Sequence, residues 1–293
     1  KQHSDMEKIA NDYLTIQVSD LGAELSSIKD ENGSEYLWQG DKRYWGRRSP
    51  ILFPIVGAVW HDTFRVDGKE YHAKRHGFAR DSKFKLIKRE NNRLVYSLHD
   101  TAESYENYPF HFILGISYKL ERNKIHVVWH VQNIDDKEIH FQIGGHPAFN
   151  IPDMKEGEPV KGYLKLSQEK LERTVFNHEG NRLEAYKDFE TDEGILEFDE
   201  QTFKDDALVF DRCQLNDIQL LNRKGMPQVS LHFNTPAVGI WTPYGKNAPF
   251  LCIEPWYGIA DAENYCGEFK DRYLMNHLQP GASFMSEYII TIK

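Results

Sequence analysis

Cysteine is scarce in this chain. Only three of its 293 residues are cysteines, Cys213, Cys252 and Cys266, which is too few for a disulfide framework in a chain of this length. Their spacing matches no zinc-binding pattern, and an odd number of thiols is typical of a reducing compartment. We therefore expect three small buried side chains in a cytoplasmic protein.

Long apolar runs and basic tracts are also missing. No segment approaches the roughly 20 apolar residues that a membrane helix needs, and residues 1–11 contain no apolar stretch of the signal-peptide kind. The formal net charge of -9 disfavours nucleic acid, whose affinity for proteins comes largely from lysine and arginine on phosphates. These absences predict a chain with neither a membrane nor a nucleic-acid partner. We expect a monomer or a homodimer.

Helix signals are few. The helical candidates are residues 102–107 and a second short segment beginning at 261–263. Strand signals dominate: apolar and polar residues alternate with period two in many segments, the longest pair lying within 112–133. An Asp-Gly turn at 67–68 between two short strands predicts a hairpin. Because no βαβ alternation is present, the pattern predicts one all-β domain over 1–293, a large antiparallel β-sandwich.

Several chemical signatures are absent as well. The sequence contains no HExxH zinc helix, no Gly-x-Ser-x-Gly nucleophile elbow, no P-loop and no dinucleotide-binding glycine cluster. His72 and His76 are four residues apart, but in a strand-rich context this spacing does not bring both rings to one metal ion. We therefore expect neither a metal ion nor a cofactor.

Polar chemistry is concentrated instead in three short motifs: HGFAR at 76–80, GGHPAFN at 144–150 and CIEPWYG at 252–258. In the first, His76 precedes a glycine, which lets the backbone come close to a ligand. Arg80, four residues on, can reach a hydroxyl or a phosphate. A surface histidine beside basic residues is the alternative interpretation of this motif.

The second motif places His146 between two glycines and a proline at the end of a predicted strand. A histidine whose backbone is fixed in this way can act as a general acid near neutral pH. A core histidine with satisfied hydrogen bonds is the alternative.

The third motif places Glu254 at the end of an apolar strand, crowded by Trp256 and Tyr257. A carboxylate that loses hydration there has a raised pKa and becomes a better base, and the two aromatics can serve as platforms for the apolar face of a sugar. A glutamate that only caps a loop is the alternative. Of the adjacent acids Asp205 and Asp206, we prefer Asp206 as acceptor for a sugar hydroxyl, from its spacing to the next strand. Glu254 and Asp206 also leave open a glycosidase with paired carboxylates.

Taken in this order, the motifs resemble the aldose 1-epimerase (galactose mutarotase) superfamily, and are most similar to its LacX-like and hexose-phosphate-mutarotase-like branches. The resemblance extends over nearly the whole chain, from DLGAEL at 20–25, through a proline-rich stretch at 50–57 and YPF at 108–110, to the C-terminal strand. It implies a galactose mutarotase-like β-supersandwich with few short helices. It also implies an isomerase, with a small sugar or sugar phosphate as its partner, that interconverts the α and β anomers of an aldohexose or hexose phosphate without a cofactor.

The resemblance further implies a role for each residue. Glu254 takes the proton of the anomeric hydroxyl as general base, and His146 protonates the ring oxygen as general acid. His76 stabilises charge and helps to bind the sugar, Asp206 holds a ring hydroxyl, and Arg80 contacts the substrate. Because ring opening removes a proton at O1 and delivers one at O5, we expect the carboxylate and the imidazole on opposite sides of the C1–O5 edge.

One stretch departs from the family pattern. The hexose-phosphate branch carries Arg-Gly-Gly before its proline-rich stretch, whereas this chain reads GRRS at 46–49. We expect Arg47 or Arg48, together with Arg80, to reach a substrate phosphate. Two other functions fit the same residues: a non-catalytic carbohydrate-binding or sugar-sensing protein, and a β-sandwich glycoside hydrolase or lyase. The presence of both histidines and Glu254 favours the epimerase.

Overall fold

Two antiparallel sheets form most of the structure. The computed structural model describes residues 3–293, with strands numbered in chain order. The larger sheet has nine strands. In spatial order they are β17 (Ile195–Phe198), β14 (Gly162–Leu166), β19 (Asp217–Leu221), β20 (Pro227–His232), β24 (Ser283–Ile292), β10 (Lys124–Asn133), β9 (Phe112–Glu121), β8 (Arg93–His99) and β7 (Lys85–Arg89).

One face of this sheet is apolar because its side chains alternate. Ile116 and Tyr118 on β9, and Val127 and Trp129 on β10, are all buried, whereas the residues between them are more exposed. This is the period-two pattern that predicted a strand pair within 112–133, and the structure confirms it.

The second sheet packs against that apolar face and carries the motif residues. Its strands are β18 (Leu208–Phe210), β21 (Ala237–Trp241), β22 (Phe250–Tyr257), β12 (Ile143–Gly145) and β4 (Ile51–Leu52), with β13 (Ala148–Asn150) also paired to β22. Tyr257 at the end of β22 contacts Trp129 of the larger sheet edge to face, with ring centroids 6.4 Å apart. The two sheets therefore face each other, which confirms the predicted all-β antiparallel sandwich.

Smaller elements surround the two sheets. They are the three-stranded sheet β1 (Met6–Ala10), β2 (Leu14–Ser19) and β3 (Glu24–Asp30), and the pairs β5 (Thr63–Val66) with β6 (Lys69–His72), β11 (Ile139–Phe141) with β23 (Asn276–Leu278), and β15 (Lys170–Phe176) with β16 (Arg182–Glu190). Short 3₁₀ turns cover Trp60–Asp62, Ala79–Asp81, Gln201–Phe203 and Phe269–Asp271. Across the described part of the chain, none of the helices is long and apolar enough to cross a bilayer.

Two local predictions are confirmed. Asp67 and Gly68 both have positive φ, 50° and 78°, as the primed turn of the β5–β6 hairpin requires. The helix α1 runs over Ala102–Asn107, and the Thr101 side chain accepts a hydrogen bond from the Ser104 backbone N–H in a capping box.

Two other local predictions are wrong. No helix begins at 261–263, because the Asp261 carboxylate is held by Arg272 at 2.5 Å and by the Trp60 backbone N–H at 2.9 Å, which fixes it in extended chain. Cys252 is buried as expected, but Cys213 and Cys266 lie exposed in loops rather than in the core.

Candidate active site

One cavity on the outer face of the second sheet gathers six of the nine predicted site residues: His76, Arg80, His146, Asp206, Glu254 and Trp256. Cys252, Glu254 and Trp256 alternate along β22 with Leu251, Ile253 and Tyr257, which pack into the core between the sheets. The side-chain period of two therefore turns Glu254 outward, toward the cavity. Residues from all three sequence motifs therefore line one cavity.

Glu254 and His146 are in direct contact. His146 follows β12, the strand that pairs with β22, and its Nε2 lies 3.1 Å from Glu254 Oε1. Both side chains are almost completely buried. The expectation that they flank a sugar edge from opposite sides is wrong, because at this distance no sugar atom fits between them. They lie side by side on one wall, where they can act on two oxygens bonded to the same carbon.

The surroundings of this pair disfavour charge on either member. Burial, and second the Asp206 carboxylate, raise the pKa of Glu254 well above 4.5, and the positive charge of Arg75 opposes this rise. Burial likewise lowers the pKa of His146 to about 3, helped by the positive charges of Arg80 and Arg47. Burial therefore favours the neutral forms of both groups, a protonated carboxyl beside a neutral imidazole.

His76 has a fixed tautomer. Its φ of 66° places the ring beside the segment at Gly57, whose backbone N–H donates to His76 Nδ1 at 3.0 Å. Burial, and then the nearby His146 and Arg80, lower the pKa of His76 well below 6.5. A neutral imidazole that accepts at Nδ1 carries its proton on Nε2. His76 is thus an uncharged N–H donor at the cavity.

Three tryptophans shape the walls. Trp45 stacks on the His146 ring with centroids 4.9 Å apart, and Trp241 meets the same ring edge to face at 5.6 Å. Trp256 lies between Gly144 and Gly239 on the two strands beside β22. A Cβ at either glycine would come within 2.6 Å of the Trp256 ring, so both positions require glycine for the ring to lie flat.

We expect Gly239→Ala to lower the free energy of unfolding by about 1–3 kcal/mol, because the added methyl overpacks against Trp256. Urea unfolding followed by tryptophan fluorescence measures this. Gly115→Ala is the matched control on β9, where a Cβ would have its nearest atom, in His130, at an ordinary 3.4 Å. Equal destabilisation by both substitutions would contradict the role assigned to Gly239.

The predicted arginines divide between the cavity and its surroundings. Arg80 lines the cavity and donates from Nη2 to the Arg75 carbonyl oxygen at 2.8 Å. Arg47 does not line it; its guanidinium pairs with Asp81 at 3.0 Å, close enough to lower the pKa of His76 and His146. Arg48 faces away and donates to the Ser26 carbonyl oxygen and the Gln39 side chain, so its prediction as a substrate contact is wrong.

Tyr257 is the other wrong prediction. One residue beyond Trp256 on β22, it points to the opposite face, where its hydroxyl accepts from Ser286 Oγ at 3.0 Å and its ring packs on Phe284. Of the adjacent acids, Asp206 lines the cavity and Asp205 is exposed outside it. This agrees with the preference for Asp206.

The sequence predictions missed several residues at the cavity. Arg75 donates to the Glu179 carbonyl oxygen, and Gly180 leaves room for its guanidinium. Phe176 reaches the cavity from the β15–β16 ribbon, which was not among the predicted strands. Trp45 and Arg75 could have been found from their neighbours, since Trp45 comes just before the arginines at 47 and 48 and Arg75 directly before His76. Phe176 carries no comparable signal, because tertiary folding alone brings it there.

Unpartnered polar atoms collect in these walls. Arg80 Nε, His146 Nδ1 and Trp256 Nε1 are buried without a protein hydrogen-bond partner. Such atoms are rare in folded proteins and call for an explanation such as water or a ligand. Their convergence on one cavity indicates a site built for a polar ligand.

Comparisons with known proteins match one family over nearly the whole chain. The family model described as Aldose 1-epimerase matches residues 6–290. The chain is 32% identical to protein LacX (chromosomal) of Lactococcus lactis subsp. lactis over 97% of this chain and 98% of LacX. A galactose mutarotase related enzyme from Lactobacillus acidophilus superimposes with a TM-score of 0.92 at 31% identity, covering 99% of this chain and 97% of that one. A galactose mutarotase-like protein from Lactobacillus casei ATCC 334 gives 0.93 at 26% identity, covering 99% and 100%.

Proposed function

The chain belongs to the aldose 1-epimerase family, and we propose that it is itself a mutarotase, which interconverts the α and β anomers of an aldohexose or hexose phosphate. The observation that carries this proposal is the 3.1 Å contact between Glu254 and His146 on the cavity wall. It offers a base and an acid to two neighbouring oxygens of one sugar.

The reaction needs only proton transfers. Glu254 takes the proton of the O1 hydroxyl as the C1–O5 bond breaks; the bonding electron pair goes to O5, which takes a proton from His146 Nε2, leaving an aldehyde at C1. Rotation about C1–C2 presents the other face of the aldehyde. The reverse transfers then close the other anomer. Each acid–base group typically contributes roughly 10²–10⁴-fold in rate.

The hydrogen bond between the pair supplies both working groups at once. A neutral carboxyl next to a neutral imidazole has the same net charge as a carboxylate next to an imidazolium. Moving one proton across the 3.1 Å contact therefore creates the base and the acid together. After ring opening, Glu254 holds a proton and His146 is neutral again, which is the state that burial favours.

The other cavity residues are assigned to binding. His76 donates from Nε2 to a sugar oxygen or to the charge that develops on it, and Asp206 accepts from a hydroxyl. Trp45 and Trp241, half-buried against the His146 ring, offer apolar surface to the ring carbons of the sugar. Arg75 and Arg80 line the same cavity with Arg47 beside them, and this excess of positive charge favours a substrate that carries a phosphate.

The test is anomer exchange measured by NMR saturation transfer on glucose, galactose and glucose 6-phosphate, with Glu254→Gln as the control. Faster exchange with wild type alone, on any of these sugars, is the expected result, and the fastest sugar identifies the substrate class. No acceleration, with ligand-induced shifts still visible, would overturn the proposal in favour of a non-catalytic sugar-binding protein.

Asp206→Asn is expected to move the alkaline limb of the kcat/KM–pH profile to lower pH. After burial, the Asp206 charge is the largest cause that raises the pKa of Glu254. The working pair needs its one proton, and loss of that proton from Glu254 ends activity at alkaline pH. Removing this negative neighbour lowers the pKa of Glu254, so activity is lost at a lower pH. Asp205→Asn, one residue away but outside the cavity, should leave the limb in place. If the limb stays in place in the Asp206 variant, the Asp206 charge does not set the pKa of Glu254.

A further inference from the structure

A second cluster of imidazole and carboxylate groups lies in a recess apart from the sugar cavity. The antiparallel register of β11 and β23 places His140 directly opposite His277, and their Nδ1 atoms are 2.8 Å apart. Glu138 Oε1 lies 3.9 Å from the first nitrogen and 3.6 Å from the second. Three potential metal ligands thus converge on one point.

The cluster is held in place by its neighbours. The Gln279 amide donates to Glu138 Oε2 at 3.0 Å, which leaves Oε1 directed at the two rings. His140 is only 9% exposed, and its ring packs edge to face on Phe110 with centroids 5.6 Å apart. A carboxylate oriented by a hydrogen bond and an imidazole fixed by packing are features that support metal ligation.

We propose that Glu138, His140 and His277 form a binding site for a divalent transition-metal ion of the zinc type. Two imidazoles with one carboxylate are a common ligand set for zinc, and a fourth position stays open for water. With metal–nitrogen bonds of about 2.0–2.1 Å, two ring nitrogens bound to one ion stand about 2.9–3.4 Å apart. The 2.8 Å separation in this structure needs only a slight widening.

The charges around the recess constrain the proposal. The acids Asp67, Glu268 and Asp271 line it together with the cations Arg65, Lys137 and Lys270. Because these charges nearly balance, the electrostatic potential of the recess attracts a cation only weakly. Affinity for a metal ion must therefore come from the coordination bonds. This favours an ion that bonds strongly to imidazole nitrogen over calcium or magnesium, which prefer oxygen ligands.

A bound ion would cross-link two strands that are far apart in sequence. His140 and His277 are separated by 137 residues, so no short motif marks the site. β11 continues within a few residues into β12 and then His146. The expected effect is stabilisation of this part of the fold by mass action, with no part for the ion in the anomer exchange itself.

The experiment is a titration of the metal-free full-length protein with Co²⁺ and Zn²⁺, followed by visible absorption, calorimetry and the thermal midpoint. One equivalent is expected to bind and to raise the midpoint. His277→Ala should weaken binding by about tenfold or more and remove the rise; the side chain is half exposed, so the fold should tolerate its loss. Glu138→Gln is the second variant, with the same expectation.

Two comparisons make the result decisive. His232→Ala removes a histidine that also faces a carboxylate, Asp217 at 3.6 Å, but belongs to no cluster of metal ligands; it should bind like wild type. His146 and Glu254 of the sugar cavity, together with the buried Cys252, form the other possible ligand group among residues 3–293. An ion there would show a thiolate-to-cobalt charge-transfer band that Cys252→Ala removes. Such a band, unchanged binding in His277→Ala, or no binding at all would overturn the proposal.

Discussion

Glu254→Gln is expected to lower the rate of enzyme-catalysed anomer exchange by about 10²–10⁴-fold, because it removes the carboxylate beside His146 that we propose takes the O1 proton. The amide has nearly the shape of the carboxyl group and can still contact His146 Nε2. Sugar binding should therefore change little. Saturation transfer gives the rate, and ligand titration under the same conditions gives the affinity.

Glu24→Gln is the matched control for this variant. Glu24 is also a carboxylate in a largely buried environment, where burial raises its pKa to about 6, but it does not line the cavity. A wild-type rate is expected for it. A Glu254→Gln enzyme with a wild-type rate would remove Glu254 from the mechanism.

Glu254→Gln should not destabilise the fold at neutral pH. The folded-state pKa of Glu254 is raised, so its protonated form is the one that suits the native state. The folded protein then holds more protons than the unfolded chain above pH 4.5, and stability is lost as the pH rises through the folded pKa. A neutral amide escapes this loss. We expect the free energy of unfolding of the variant, measured in urea, to equal or exceed that of wild type at pH 8. Any difference between the two proteins should be smaller at pH 4.

The sequence was most informative where a local pattern determines the structure. Period-two alternation defines the strands within 112–133, and the Asp-Gly pair at 67–68 defines a primed turn, because both effects operate between close neighbours in the chain. The ribbon formed by β15 and β16 escaped prediction because nearly all residues of its second strand are exposed. Without an alternation in burial, it carries no periodic signal.

The site residues also differ in whether a local sequence pattern predicts them. Glu254 and His146 were predicted because each lies in a distinctive backbone context, and the order of the motifs resembled a family. Tyr257 was wrong because a sugar platform was inferred from its aromatic ring and its place near Glu254 in the motif, whereas strand periodicity turns adjacent residues to opposite faces. Arg48 was wrong for a similar reason: the doublet at 47–48 cannot direct both side chains to one side. Arg75 was missed although it directly precedes His76, because the sequence does not show that Gly180 leaves room for its guanidinium.

Arg80→Ala is expected to reduce kcat/KM for glucose 6-phosphate by about 10–100-fold more than for glucose, since a charge-assisted hydrogen bond to phosphate contributes about 1.5–3 kcal/mol. Burial lowers the pKa of Arg80 to about 10, so the side chain is still a cation at neutral pH. Its Nε has no protein partner, which leaves a donor for the substrate. Parallel saturation-transfer rates on the two sugars measure the difference.

Two further variants decide what Arg80 contributes. Arg80→Lys keeps the charge but loses the planar fork of donors, so partial recovery on the phosphate substrate is expected. Arg48→Ala removes a neighbouring arginine that faces Ser26 and Gln39, and should affect both sugars equally little. Arg80 also donates to the Arg75 carbonyl oxygen. Equal losses on both sugars in Arg80→Ala would therefore mean that Arg80 serves to hold this loop and the neighbouring His76, and that phosphate recognition belongs to another group.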